Sequence, residues 1–249
     1  MELLEWDAKT YDALPLPHSR WGAGVVARLG ATSGETILDL GCGTGRDVER
    51  VLDSVPDARI VGVDGSKQML ARARDRFAGR PGRVTLMWAD LREPLHLDGP
   101  VDAAMSVAAL HWVYDHDTVF DSVARALRPG GRFVAEWGGE GNIAGVRAAV
   151  ERVGGDARPA AREFANVADT SRRLVEAGFV DVSVALVEDP AFLERGEQLE
   201  AFLATVILGA DLRDMAAERR GPFVEAVAAA LPEPVIDYVR LQVGARRPG

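Results

Sequence analysis

An acidic residue followed by three alternating glycines is the first place in this sequence where residue types and spacing could do chemistry. Residues 36–47 read TILDLGCGTGRD and carry Asp39, Gly41, Gly43 and Gly45 at the end of an apolar run. A glycine-rich turn after a buried strand lets backbone N–H groups approach a ligand closely, because glycine has no side chain to block the approach. The stretch predicts a ligand-binding turn, and the rest of the chain must select the ligand.

The glycine spacing and two further acids narrow the range of possible ligands. A dinucleotide-binding turn has its third glycine three positions after the second, but here that position is Arg46 and the third glycine is Gly45. Asp39 would attract a cationic group over the turn and repel a pyrophosphate. Asp64, after a second apolar run, can accept from both hydroxyls of a ribose, and Asp90, after a third, can accept from the amine of an adenine. These acids predict a ligand with an amine, a ribose and an adenine but no phosphate.

Strands and helices alternate through the first 140 residues, which would place these acids along one edge of a sheet. Short apolar runs predict strands at Ile37–Leu40, Ile60–Val63, Val84–Trp88, Val101–Val107 and Arg132–Glu136. Apolar residues at helical spacing follow the first, second and fourth of these strands. This rhythm is typical of a doubly wound parallel sheet, whose ligands lie beyond the carboxyl ends of the strands.

The rest of the chain changes character. Its pattern predicts a helix at Ser171–Ala177, a strand at Val180–Val187, helical stretches around Leu199–Leu208 and Phe223–Leu231, and a strand at Ile236–Val243. We expect an α/β fold: a doubly wound, Rossmann-like, seven-stranded, mostly parallel sheet with an antiparallel edge strand and a helical cap. We predict a single domain over 1–249, with an N-terminal helical lid (1–34), a cofactor-binding core (35–137) and a C-terminal part with the cap helices and last two strands (138–249).

Composition and charge exclude several classes of function. The 249 residues carry a formal net charge of −9 and a pI near 5.0, so the electrostatic field repels nucleic acid. Cys42 is the only cysteine, which excludes an internal disulfide and a thiolate metal cluster, and the four histidines lack metal-ligand spacing. No targeting signal or membrane-spanning run is apparent. We expect a cytoplasmic protein with no metal, membrane or nucleic-acid partner; the oligomeric state is left open.

Five motifs together resemble the class I S-adenosylmethionine-dependent methyltransferases. They are ILDLGCGTG, VGVDGSKQML, WADL, VDAAMSVAALHWV and LRPGGRFV, within roughly residues 35–137. The resemblance implies S-adenosyl-L-methionine as cofactor and S-adenosyl-L-homocysteine as product, with the glycine turn under the methionyl part and Asp39 facing its ammonium. The other implied cofactor residues are Asp64 and Gly65 at the ribose end of the second strand, Met69 on the adenine, Ala89, Asp90 and Leu91 at the adenine edge, and Val107 through its backbone. Met69 could equally be helix core, and Asp90 a turn former.

Four further segments resemble the bacterial trans-aconitate methyltransferase-like group, which methylates carboxyl oxygens of small acids. They are WDAKTYD, LHWV, EWGGEGN and DYVRL. The sequence departs from the group at residues 18–21, His-Ser-Arg-Trp, where the group has an Arg-x-Arg-Pro-like segment, and at Val107, where asparagine is common. The first departure removes the arginines expected to anchor a tricarboxylate.

A sulfonium methyl is strongly electrophilic, so the main task of such a protein is to align the reacting atoms, which can supply about 7–11 kcal/mol. A carboxylate acceptor needs no base, whereas a hydroxyl or carbon acceptor benefits from one. His111, just beyond the fourth strand, is the candidate catalytic base or acceptor contact, or else a structural histidine beside Trp112. The predicted acceptor-contacting residues are Tyr11, Arg20, His111, Trp112 and Trp137.

The sequence therefore predicts a methyltransferase that acts on a small molecule, with a carboxylate oxygen as the preferred acceptor. Methylation of a hydroxyl oxygen or a carbon, with His111 as base, is the alternative. An NAD-linked oxidoreductase is disfavoured by the glycine spacing and by Asp39. A cofactor-binding module without methyl transfer also remains, because this chemistry has no obligatory catalytic residue to look for.

Overall fold

The computed structural model describes residues 3, 5, 8, 18–156, 164–209, 211–213 and 215–249. Its strands are β1 (Thr36–Leu40), β2 (Arg59–Asp64), β3 (Val84–Trp88), β4 (Val101–Val107), β5 (Leu127–Gly138), β6 (Val180–Glu188), β7 (Ala191–Phe192), β8 (Val235–Ile236) and β9 (Val239–Arg246). Its α-helices are α1 (His18–Leu29), α2 (Arg46–Ser54), α3 (Lys67–Phe77), α4 (His116–Ala126), α5 (Ala144–Arg152), α6 (Val167–Glu176), α7 (Glu197–Phe202) and α8 (Ala217–Ala230). A 3₁₀ turn spans Leu110–Trp112, and a π-helical turn spans Leu203–Ile207.

Seven strands form one sheet in the order β3-β2-β1-β4-β5-β9-β6. Strands β1 to β5 are parallel, and β9 pairs antiparallel with both β5 and β6. The predicted doubly wound, mostly parallel sheet is confirmed, but its antiparallel strand lies one position inside the edge. Burial explains this placement: Leu241 and Val243 of β9 are buried, whereas β6, the actual edge strand, is largely exposed.

The strand register brings polar side chains of separate strands to one face and one edge of this sheet. Val107 at the end of β4 pairs with Glu136 of β5, and Gly138 of β5 pairs with Arg240 of β9. Since paired residues of neighbouring strands point to the same face, Glu136 and Arg240 lie on the face that also carries Asp39. The winding direction reverses between β1 and β4, which is where doubly wound folds bind their ligands.

Helices cover both faces of the sheet. One apolar cluster joins α1, α2 and the C-terminal helices to the Asp39 face, through residues such as Val25, Val48 and Leu199. The other joins α4 and α6 to the opposite face, through residues such as Phe120 and Leu174. The late helical stretches thus pack on the sheet as predicted. Among the described residues, no helix is long and apolar enough to span a membrane.

Candidate active site

The glycine turn after β1 adopts a conformation that only glycine accommodates. Gly41, Gly43 and Gly45 have φ angles of 74°, 55° and 83°, all in the left-handed region. A Cβ at Gly41 would lie 2.3 Å from the Cβ of Ala109, and one at Gly45 would lie 2.4 Å from the ring of Phe77. The alternating glycines therefore have a structural cause: the turn is packed between the segment after β4 and the end of α3.

Hydrogen bonds hold this turn against its neighbours. The amides of Gly41 and Cys42 both donate to the carbonyl of Val63, at 2.8 and 3.0 Å. Nε of Arg76 donates to the carbonyl of Thr44 at 2.8 Å, which ties the turn to α3. Cys42 is buried, and burial raises the pKa of its thiol well above the ordinary value, as a small filler of the turn would require.

Asp64 at the end of β2 connects the glycine turn to the start of α3. Its carboxylate accepts from the amides of Gly43 and Ser66, each at 2.8 Å. Ser66 is the N-cap of α3, and its Oγ accepts from the amide of Met69 at 3.2 Å. Burial raises the pKa of Asp64 in spite of the two backbone bonds. A carboxylate has about four acceptor positions, so two remain for further donors such as ribose hydroxyls.

Asp39 and Asp47 join Asp64 in a group of three acids around the turn, of which Asp39 is buried and the other two are half-buried. Asp39 is 2% exposed, and burial, followed by the charges of Asp47 and Asp64, raises its pKa well above the ordinary value. Asp47, in the first turn of α2, has a pKa raised by burial to about 6, although Arg50 and Arg46 oppose this shift. Like charges gathered in a buried place favour a cationic ligand and disfavour an anionic one. The group thus suits an ammonium and a sulfonium and does not suit a pyrophosphate.

Asp90 follows β3 as predicted, but it already has a strong partner. Its carboxylate accepts from Nε of Arg92 at 2.9 Å and from Nη2 at 2.6 Å, and these bonds lower its pKa. An adenine amine would therefore have to share this carboxylate with Arg92. Ala89, just before it, donates its amide to the carbonyl of Asp64 at 3.2 Å, and Leu91 is half-buried, so the segment lies beside the ribose position.

The start of α3 carries a contact that the sequence did not reveal. The carboxylate of Glu5 accepts from Oγ of Ser66 at 2.9 Å and from the amide of Lys67 at 2.9 Å. Beside it, a Cβ on Gly65 would lie 3.3 Å from a methyl of Leu3. An N-terminal stretch therefore reaches the cofactor side of the sheet, and a separation of about 60 residues leaves no local signal for it. Met69 itself is buried.

His111 lies in the 3₁₀ turn after β4, at the predicted edge of the sheet. Its Nδ1 accepts from the amide of Gly138 at 3.4 Å, and its ring lies 5.2 Å from that of Trp112 and 6.2 Å from that of Phe164. Because an amide N–H faces Nδ1, the neutral ring carries its proton on Nε2. In this tautomer Nε2 offers a hydrogen-bond donor to a ligand.

Two of the predicted acceptor contacts, Arg20 and Trp137, have other surroundings in the structure. Arg20 forms an ion pair with Asp189 at 2.5 Å, and the neighbouring Nε1 of Trp21 donates to the same carboxylate. The prediction for Trp137 is corrected: its ring is fully buried in the core because it points to the face covered by α4 and packs against His116. Tyr11 lies outside the described residues, and Trp112 is half-buried beside His111.

His116, the first residue of α4, is buried beneath the 3₁₀ turn that carries His111. Asp115 is the N-cap of α4, as its Oδ1 accepts from the amide of Thr118 at 3.2 Å. His116 is 0% exposed, and its Nε2 lies 2.9 Å from the carbonyl of Leu110. It supports the 3₁₀ turn that carries His111 from below and takes no part in the candidate site surface.

Comparison with known proteins agrees with this geometry. Residues 37–131 match a family model described as a methyltransferase domain. Trans-aconitate 2-methyltransferase from Azoarcus sp. (strain BH72) is 36% identical over 126 residues, which cover 51% of this chain and 48% of that protein. The chain thus spans about half the length of the curated relatives it matches.

Solved structures share the fold over most of the chain. Phosphoethanolamine N-methyltransferase 2 from Haemonchus contortus, in complex with phosphomonomethylethanolamine and S-adenosylhomocysteine, has a TM-score of 0.63 at 20% identity and is matched over 92% of this chain and 53% of its own. The YcgJ protein from Bacillus subtilis has a TM-score of 0.67 at 14% identity, over 92% and 99%. The resemblance noted from the motifs is confirmed. Residues 37–131 match the model of a methyltransferase domain, and the chain shares the Rossmann-like fold of these solved structures.

Proposed function

We propose that this protein uses S-adenosyl-L-methionine to methylate a carboxylate oxygen of a small acid. The observation that carries the cofactor assignment is the group of three acids around the glycine turn, with Asp39 buried and Asp47 and Asp64 half-buried. Mutual repulsion among Asp39, Asp47 and Asp64 is relieved by a positively charged ligand and increased by a phosphate. S-Adenosyl-L-methionine combines an ammonium, a sulfonium and a ribose without phosphate, and it supplies an electrophilic methyl group.

Each cofactor residue expected from the sequence has a place in this proposal. Asp39 would face the ammonium, and the glycine turn would lie under the methionyl part. Asp64 would accept from the ribose hydroxyls with the acceptor positions that Gly43 and Ser66 leave. The remaining contacts would come from Gly65 at the ribose, Met69, Ala89, Asp90 and Leu91 around the adenine, and the backbone of Val107.

Support for a carboxylate acceptor comes from the tautomer of His111. A ring whose Nε2 carries the proton can donate to an anionic oxygen and hold it in line with the methyl group, which suits a carboxylate better than a hydroxyl that must first lose its proton. A carboxylic acid with a pKa near 4 is already ionised at pH 7 and needs no base. The trans-aconitate 2-methyltransferases among the relatives agree with an acidic acceptor.

We also propose that the chain works as one unit, with 1–34 as a lid, 35–137 as the cofactor-binding core and 138–249 completing the acceptor side. Two ion pairs support this division. Arg28 of α1 pairs with Glu136 of β5 at 2.9 Å, and Arg20 pairs with Asp189 after β6. The first pair joins α1 to the core, and the second joins it to the C-terminal part.

Two measurements test the proposed function. Titration calorimetry with S-adenosyl-L-homocysteine should give one site per chain, and mass spectrometry should detect a methyl ester with at least one small acid. With that acid, single-turnover kcat should be nearly flat from about pH 6 to 8.5, because the acceptor is ionised throughout. A kcat that rises with pH and loses that rise in His111→Ala would favour a hydroxyl or carbon acceptor. Absence of S-adenosyl-L-homocysteine binding at millimolar concentration would contradict the proposed methyltransferase activity.

A further inference from the structure

A buried arginine, Arg240, lies near the start of β9. Arg240 is 2% exposed, and its backbone pairs with Gly138, the last residue of β5. This position is on the edge of the sheet formed by the carboxyl ends of the parallel strands, and on the face that carries Asp39. Since β9 is the second strand beyond β4, the arginine lies about 10 Å along the sheet from the end of β4, where His111 follows.

Aromatic rings and a carboxylate surround the guanidinium of Arg240. Its Cζ lies 3.7 Å from the ring centroid of Trp21, which also packs edge-on against Tyr238 with 4.9 Å between ring centroids. Its Nε lies 3.7 Å from Oε1 of Glu136, which is too far for a hydrogen bond. The other oxygen of Glu136, Oε2, accepts from Nη2 of Arg28 at 2.9 Å and from the side-chain Nε2 of Gln242 at 3.0 Å.

The result is a buried cation whose donors are not satisfied. Nε and Nη2 of Arg240 are both buried, and neither has a hydrogen-bond acceptor among the residues that the structure describes. Burial lowers the pKa of Arg240 only to about 10, so the group stays charged at neutral pH. Leaving a charged donor buried and unbonded is costly, and folded proteins satisfy nearly all such groups. An anionic ligand would supply the missing acceptors.

We propose that Arg240 binds a carboxylate of the acceptor, and that this carboxylate is not the one that is methylated. The proposal rests on the proposed function. A guanidinium that holds both oxygens of a carboxylate draws electron density from them, which makes that carboxylate a poor nucleophile. The reacting oxygen therefore belongs to a second group, nearer to the cofactor turn. The acceptor is a small acid with at least two carboxylates.

Gly138 connects the two ends of this acceptor site. Its amide donates to Nδ1 of His111, and its backbone is the ladder partner of Arg240. His111 is thus placed to contact the reacting carboxylate while Arg240 holds the other. This arrangement supplies an anchoring arginine from the C-terminal strand, whereas the first helix lacks the arginine pair typical of the related group.

The test compares acid binding by three forms of the protein loaded with S-adenosyl-L-homocysteine. The acids are trans-aconitate, glutarate and fumarate, with pentanoate as a mono-acid of the same carbon number as glutarate. Arg240→Met should weaken binding of the di- and tri-acids by roughly 10- to 100-fold, since it removes a charge-assisted pair. Arg246→Met is the matched control: Arg246 is an exposed arginine at the opposite end of the same strand, and its loss should change nothing.

The comparison of glutarate with pentanoate shows whether the arginine acts through the second carboxylate. Removing that carboxylate and removing Arg240 should cost about the same, and the two losses should not add. Arg240→Lys should recover only part of the affinity, because an ammonium cannot form two parallel bonds. Equal affinity of wild type and Arg240→Met for every acid, additive losses, or no binding of any of these acids to the wild type would overturn the proposal.

Further measurements distinguish failure of the Arg240 proposal from misfolding of the variant and from failure of the proposed function. If Arg240→Met does not fold, the pair Arg240→Met with Glu136→Gln removes the buried charge imbalance, and an unchanged affinity for S-adenosyl-L-homocysteine shows that the fold is kept. If acids bind in an Arg240-dependent manner but no methyl ester forms, carboxylate methylation is wrong while the arginine site stands. If esters form with unchanged KM in Arg240→Met, the arginine site is wrong while the methyl transfer stands.

Discussion

Asp64 has two roles at once in this structure, and the two can be separated by substitution. Its carboxylate stabilises the glycine turn and the start of α3 through two backbone amides, and its remaining acceptor positions suit a ribose. The sequence identified Asp64 from its place at a strand end, but only the structure shows that the carboxylate is also a structural link. Loss of the side chain is therefore a poor probe of ligand binding alone.

Asp64→Asn should weaken binding of S-adenosyl-L-homocysteine at least tenfold, because an amide is a weaker acceptor for two hydroxyls. Asp64→Ala should in addition lower the free energy of unfolding by about 1–3 kcal/mol for each amide left unbonded. Calorimetry measures the first effect and urea unfolding the second. Asp98→Asn, at an exposed position, serves as control. Unchanged affinity in a folded Asp64→Asn variant would show that the ribose lies elsewhere.

The raised pKa of Asp47 predicts how the free energy of unfolding depends on pH. Its pKa is raised from 3.8 to about 6 in the folded protein, so its protonation stabilises the fold at low pH. This stabilisation is fully present below the unfolded pKa and is lost as the pH rises through about 6. Relative to Asp47→Asn, the wild type should lose about 2 kcal/mol of unfolding free energy between pH 4.5 and 7.5. Urea unfolding of both proteins measures this, and parallel pH curves would contradict a raised pKa.

At the scale of elements, the start of α3 connects the end of β2 with the beginning of the chain. Ser66 caps the helix, Asp64 holds the amide of Ser66, and Glu5 reaches the same turn from the beginning of the chain. Burial raises the pKa of Glu5, but bonds from the Lys67 and Gln68 amides and from Ser66 outweigh this and lower it. A disturbed N-terminus of α3 should therefore affect the ligand as well as the helix.

Ser66→Ala should lower the free energy of unfolding by about 0.5–2 kcal/mol, as for loss of other N-caps, and should also weaken binding of S-adenosyl-L-homocysteine. Asn166→Ala is the matched variant: Asn166 caps α6, its side chain accepting from the amide of Asp169 at 2.8 Å, on the face opposite to the glycine turn. It should lower stability by a similar amount and leave cofactor affinity unchanged. Equal effects of both variants on affinity would mean that binding merely follows global stability.

Strand β9 shows where local sequence patterns reach their limit. Alternation predicted Val239, Leu241 and Val243 on one side and Tyr238, Arg240 and Gln242 on the other, and the structure has this alternation. The pattern could not show that the polar side is also buried, because α1 covers it from 200 residues away in the chain. For the same reason the strand lies inside the sheet and not at its edge. The Arg240 site could not be predicted from spacing.

At the scale of the molecule, the positions of the residues proposed to bind the cofactor could be located from the sequence, and those of the residues proposed to bind the acceptor could not. The glycine turn, Asp39, Asp64 and Asp90 follow strands in a fixed way, so their positions can be read from a short local sequence. The acceptor side is assembled from α1, the end of β5 and β9, whose contacts join distant segments. This explains why Trp137 was misplaced in the predicted pocket and Glu136 was overlooked.

The position of Cys42 allows opening of the glycine turn to be followed by thiol labelling. The thiol is buried inside the glycine turn, and its raised pKa keeps it in the unreactive protonated form. Because the chain has no second cysteine, every thiol alkylation event records exposure of this turn, through a local opening or through unfolding of the whole chain. The rate of labelling, measured with and without a bound ligand and compared with the rate of global unfolding, therefore reports the local opening equilibrium of the proposed cofactor turn.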